Sequence, residues 1–154
     1  MAETRGSMRV LTKVKSANMT VGYSGAPLAK KLGIKEGFVV GTINAPDDYA
    51  ELVAPLPAHV SLTDKVNAEI DLIHLFTNSR DELFKRLAEC RRLIKQDGAI
   101  WVSWYKKAAK LPTKITEDTV REAAFPLGLV DVKVCAVDEK WSGLKLVIRK
   151  ENRT

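Results

Sequence analysis

Apolar residues fall along this chain in two kinds of block, short nearly continuous runs and one stripe at helical spacing. GFVVGTI at 37–43 and IDLIHLF at 70–76 read as strands of a parallel sheet covered on both faces, because neither alternates with polar residues. AIWVSW at 99–104 is a third such run. Between the second and third, Leu83, Phe84, Leu87, Cys90 and Ile94 recur at intervals of three and four and predict a helix over about 80–96. Ser79 and Glu82 stand where a capping box would start it. Arg91, Arg92 and Lys95 suit its negative end, and Gly98 follows as a stop.

Shorter elements fill the gaps. Ser24-Gly25 can cap a brief helix with Pro27 in its first turn, Lys30 and Lys31 near its end, and Gly33 closing it. Residues 47–54 allow one or two helical turns, which the PLP at 55–57 ends. A minor strand is expected at 59–62. A helix from about Glu117 is capped by Thr116 and closed by Pro126-Leu127-Gly128. Two alternating strands, roughly 130–137 and 143–149, are joined by so short a connection that they must form an antiparallel hairpin. The sum is an α/β fold, three-layered and Rossmann-like, with a mostly parallel sheet that ends in an antiparallel hairpin. That layout is similar to a trimmed class I methyltransferase fold.

At 154 residues and 45% hydrophobic content the chain has the material for a single core. Residues 19–154 are expected to form one domain, with 1–18 as an extension. Gly6-Ser7 before Met8 resembles a cloning remnant. No apolar run spans a bilayer and none at the N-terminus resembles a secretory signal, so a cytoplasmic protein with no membrane partner is expected. Cys90 and Cys135 lack a neighbour at metal-ligand spacing and read as buried free thiols.

The net charge of +6 invites a nucleic-acid reading, and its location weakens it. Residues 1–18 carry Arg5, Arg9, Lys13 and Lys15 against Glu3, and the tail carries Arg149, Lys150 and Arg153 against Glu151. The body between is nearly neutral, whereas a nucleic-acid face needs its basic residues clustered on the folded surface.

Chemistry in an open α/β sheet gathers at the carboxyl ends of the strands. Those ends supply Asn44 with Asp47 and Asp48, Asn78 with Ser79, then Ser103, Trp104, Tyr105, Lys106 and Lys107, and Asp138 through Ser142, Trp141 among them, in the hairpin. Lys106 and Lys107 could attract an anion, Trp104 or Tyr105 could stack on a ring, and Asn44 or Asp47 could accept from hydroxyls. Asp138 or Glu139 is expected to pair with Lys106 or Lys107, and Trp141 to lie back over the sheet edge. After 37–43, however, the turn reads Asn-Ala-Pro-Asp-Asp where a nucleotide enzyme needs glycines, and Pro46 has no N–H for a phosphate. Pro46 and Tyr49 are expected to fill the volume that glycines would leave. No nucleophile elbow, P-loop or zinc-protease motif is present, and His59 and His74 suggest no Ser-His-Asp set. His74, inside an apolar strand, reads as a buried, hydrogen-bonded histidine.

GYSGAPLAKKLGIK at 22–35 and TEDTVREAAFPLGLVDVKVCAVDEKWSGLKLVIRKENR at 116–153 go beyond composition. Both blocks resemble signature segments of a family of small bacterial proteins described only as a domain of unknown function. The resemblance covers about 19–153 and implies a native start at Met19 or Met8. It implies no reaction.

The expectation is therefore a ligand-binding or protein-interaction module without catalytic machinery, with no cofactor, whose partner is a protein or a small anionic ligand. The alternative is a divergent S-adenosylmethionine-dependent enzyme with Asn44, Asp47 and the segment Trp104 to Lys107 lining its pocket. A third reading is weak RNA binding through the basic ends and Lys106 and Lys107.

Overall fold

The computed structural model describes residues 27–67 and 69–153. The expected extension at 1–18 and the cap at Ser24-Gly25 lie outside them. Among the described residues six strands form one sheet: β1 (Val39–Ile43), β2 (Ser61–Thr63), β3 (Ile70–Phe76), β4 (Ile94–Tyr105), β5 (Leu129–Ala136) and β6 (Trp141–Ile148). Their spatial order is β2-β1-β3-β4-β6-β5. The ladders from β2 through β4 are parallel, while β6 runs antiparallel to both neighbours.

Helices cover both faces. Alternate residues of β3 explain how, because side chains along a strand point to opposite sides. Ile73 and Leu75 join a core with Leu83, Leu87 and Cys90 of α3 (Arg80–Leu93) and Val120 and Ala124 of α4 (Glu117–Ala124). Leu72 and Phe76 face the other way, toward Ala29 and Leu32 of α1 (Leu28–Leu32) and Tyr49 and Val53 of α2 (Tyr49–Val53). Trp101, fully buried in this second core, donates its indole N–H to Leu32 O at 2.8 Å. The long run of β3 is thus apolar because it is the middle of a three-layer stack.

Several boundaries depart from the sequence reading. Pro27 occupies the N-cap of α1 rather than its first turn, and Gly33 closes the helix at φ 83° as expected. The helix α3 stops at Leu93, and β4 begins at the next residue. Gly98 therefore sits inside a strand instead of ending a helix. The register slips there, from Ile70 opposite Ile94 to Leu72 opposite Ala99. A Cβ on Gly98 would lie 2.9 Å from Asp71 O, so close backbone approach is what calls for glycine. Asp71 anchors this end of the sheet, accepting from Val39 N at 2.8 Å and pairing with Lys95 at 2.9 Å.

The capping box of α3 is only half formed. Ser79 Oγ accepts from Glu82 N at 3.2 Å, but the Glu82 carboxylate turns elsewhere. In α4 the box is complete, with Thr119 in the place usually taken by glutamate. Cys90 is buried and free, and Cys135 is free and half-buried. Burial pushes the Cys90 thiol up to about 12. Among the described residues no helix is long and apolar enough to cross a membrane.

Candidate functional site

Strand order reverses between β1 and β3. The chain leaves β1 toward β2 on one side and later builds β3 and β4 on the other, so the crevice of a doubly wound sheet belongs at their carboxyl ends. Here a side-chain hydrogen bond between exposed residues bridges those ends. Asn44, immediately after β1, adopts φ 59°, a left-handed conformation that Asn tolerates better than most residues. Its amide donates to Phe76 O at 3.3 Å and to Glu82 Oε2 at 3.1 Å. The other oxygen of Glu82 accepts from Thr77 Oγ1 at 2.7 Å. The carboxylate missing from the capping box thus joins β1, β3 and α3 across the switch point.

The turn itself offers little to an anion. Pro46 contributes only its carbonyl, which accepts from Tyr49 N at 3.0 Å, and Asp48 caps α2 without a side-chain hydrogen bond. Tyr49 turns under the sheet surface. Its hydroxyl lies 2.8 Å from His74 Nδ1, and His74 Nε2 lies 2.7 Å from Ser103 Oγ. All three residues are buried. A neutral imidazole provides one donor and one acceptor, so this Tyr-His-Ser chain satisfies itself. Burial lowers the His74 pKa to about 3 and raises that of the Tyr49 hydroxyl. His74 is the hydrogen-bonded core histidine the sequence suggested. Its partners were not legible because they lie 25 and 29 residues away.

A recess of about 670 Å³ opens on the β1–β2 side of the switch point. Its polar wall is made by Thr42, Asn44, Asp47, Asp64 and Lys65. Tyr49 and Pro46 line it without filling it, contrary to the expectation that they would occupy the ligand volume. Asp64 follows β2 directly, twenty residues after Asn44. In Rossmann-type sheets an acidic residue about that far along receives ribose hydroxyls. The weak strand expected at 59–62 hid this residue, because its end was placed too early.

The other sequence-derived candidates separate on the same sheet edge. Asn78 Oδ1 accepts from Tyr105 N at 2.8 Å, a structural tie. Ser103 is consumed by His74. Trp104 points to the opposite face, into the core under α3 and α4, so it cannot stack on a ligand in the recess. Tyr105 packs on Trp141 with ring centroids 4.5 Å apart, and Trp141 meets Phe76 edge-on at 4.9 Å. Trp141 does lie back over the sheet edge. Asp138 does not pair with the lysines: its Oδ1 accepts from Lys140 N at 2.8 Å and Trp141 N at 2.9 Å, closing its own turn. Lys106 and Lys107 follow β4, two strand spacings or about 10 Å from β1. Only Asn44 and Asp47 of the predicted set reach the recess.

A family model matches residues 29–150, and its description is a protein of unknown function, DUF3052. No curated protein matches the chain. Solved structures resemble it in fold. A protein from Bordetella parapertussis described as a possible exported protein superposes with TM-score 0.58 at 10% identity, covering 79% of this chain and 66% of its own. A SAM-dependent methyltransferase from Aquifex aeolicus gives 0.56 at 16% identity, over 79% and 88%. Magnesium protoporphyrin IX methyltransferase from Synechocystis PCC 6803, with bound SAM, gives 0.57 at 9% identity, over 79% and 74%. In fold the chain resembles SAM-dependent methyltransferases.

Proposed function

We propose, from the premise that the chain belongs to DUF3052, a family of unknown function, that it is a binding module rather than a methyltransferase. One observation carries this reading. Asn44 and Glu82 occupy the switch point, where a class I methyltransferase fold would place its reacting ligand, while the neighbouring recess stays open. The residues present do not fit a methyl donor at full length. The glycine turn is replaced by Ala45-Pro46-Asp47-Asp48, and the Asn44 amide is already committed. What remains suits a small polar ligand with hydroxyls for Asp64 and Asp47 and a negative group for Lys65.

Thermal unfolding with S-adenosylmethionine and with NAD tests the choice. A ligand at 100 times its Kd adds about 2.7 kcal/mol, so even modest affinity is visible. No shift is expected with either compound. Native mass spectrometry of untagged protein from its own host should instead show a copurifying small molecule that Leu62→Trp, which fills the recess, displaces.

A divergent S-adenosylmethionine-dependent enzyme is the second reading, favoured by Asp64 at the end of β2. A rise of several degrees with that compound would replace the first reading by the second. RNA binding has least support, since Lys106 and Lys107 stand apart from the recess and the body is nearly neutral.

A further inference from the structure

The sheet face beneath α1 carries a group of ammonium ions on the far half of the sheet from the recess. Lys133 of β5 and Lys145 of β6 are register partners, so their side chains leave the same face side by side. Two contacts fix where the amines go. Lys133 Nζ donates to Lys31 O at 3.1 Å, and Lys145 Nζ lies 3.1 Å from where a Cβ on Gly33 would stand. Both converge on the last turn of α1. Lys35, two residues beyond Gly33, brings a third charge.

This grouping is electrostatically costly. Like charges directly opposite on a sheet repel. Burial, then Lys133 and Lys35, hold the Lys145 ammonium below the usual lysine range. Among the described residues no carboxylate forms an ion pair with Lys35, Lys133 or Lys145, and Glu36, next in sequence, does not reach them. The carbonyl end of a helix offers at most about half an elementary charge, which cannot balance three.

We propose that Lys35, Lys133 and Lys145 form an anion site for the phosphate group of a small phosphorylated ligand, seated between the last turn of α1 and the β5–β6 ladder. A phosphate carries close to two charges at neutral pH and three acceptor oxygens, matching several ammonium donors at once. A small ligand fits better than a nucleic-acid backbone because Lys145 is half-buried and residues 19–148 as a whole carry a net charge of only +1.

The test uses the full chain in chloride buffer, with inorganic pyrophosphate as the probe and sodium chloride at equal ionic strength as reference. Pyrophosphate should raise the melting temperature by several degrees beyond the chloride reference. Lys145→Gln should abolish that rise, yet without anion it should melt at or above the parent, since a repulsion has been removed. If Lys145→Gln fails to fold, the exposed Lys35→Gln carries the test and should weaken pyrophosphate binding about tenfold. Lys85→Gln, exposed on α3, should leave binding unchanged. Stabilisation matched by chloride, retained in Lys145→Gln or in Lys35→Gln, or lost equally in Lys85→Gln would overturn the site. A short DNA duplex that binds more tightly than pyrophosphate would overturn the small-ligand assignment.

Discussion

Asn44 Nδ2 stands 3.1 Å from Glu82 Oε2, so the turn after β1 is fastened to the first turn of α3. The contact demands both an amide and a left-handed backbone at residue 44. Asn44→Gly keeps the backbone and should cost about 1 kcal/mol for the lost hydrogen bonds. Asn44→Ala must also hold φ 59°, adding about 1–2 kcal/mol. Urea unfolding of the two variants separates the contributions, and equal stability would show that the backbone relaxes.

Acid should weaken the fold through His74. Its pKa is about 3 in the folded chain against an ordinary value of 6.5, so between those values the unfolded chain binds a proton that the native chain refuses. Stability therefore falls as pH drops below 6.5, by up to about 1.4 kcal/mol per pH unit from this residue alone. Denaturant curves at pH 7 and pH 5 should differ more for the parent than for His74→Gln.

Trp141 is half-buried and sandwiched between Phe76 and Tyr105. Trp141→Ala should cost about 2–3 kcal/mol, below the ~3–5 of a fully buried aromatic. Lys107→Ala, on an exposed side chain, should stay within about 0.5 kcal/mol of the parent. Chemical denaturation distinguishes them, and a neutral Trp141→Ala would mean that the ring adds no packing to the sheet edge.

Gly143 is enclosed by Trp101, whose ring would lie 3.1 Å from an added Cβ, and by Ser103 Oγ at 3.3 Å. Gly143→Ala should destabilise by about 1–3 kcal/mol through overpacking. Near-ultraviolet circular dichroism would report the displaced Trp101. An unchanged spectrum with unchanged stability would show that the second core has slack.

The sequence displayed its strands well because burial on both faces leaves β3 apolar throughout, and the hairpin was legible because few connections are so short. Glu82 misled for a physical reason. A glutamate three residues after Ser79 matches a local capping pattern, and nothing local reveals that Thr77 and Asn44 compete for its carboxylate. Gly98 misled likewise, since a glycine after a helical stripe looks like a stop when its real constraint is Asp71 O on a neighbouring strand. The site was harder still. Reading strand ends brought Trp104 in beside Tyr105, although neighbours on a strand face opposite ways, and it missed Asp64 because a three-residue strand leaves little periodicity to follow.

The strand β6 follows β5 in the chain yet lies between β5 and β4. During synthesis β5 therefore emerges with no strand to join, because the one that connects it to the sheet has not been made. Among the described residues, those before 140 supply four strands that pair with one another, β2-β1-β3-β4, and leave the β4 edge open. Completion of the sheet requires β6, and until it is made Ile100 and Val102 lack their register partners Leu146 and Leu144 on that side.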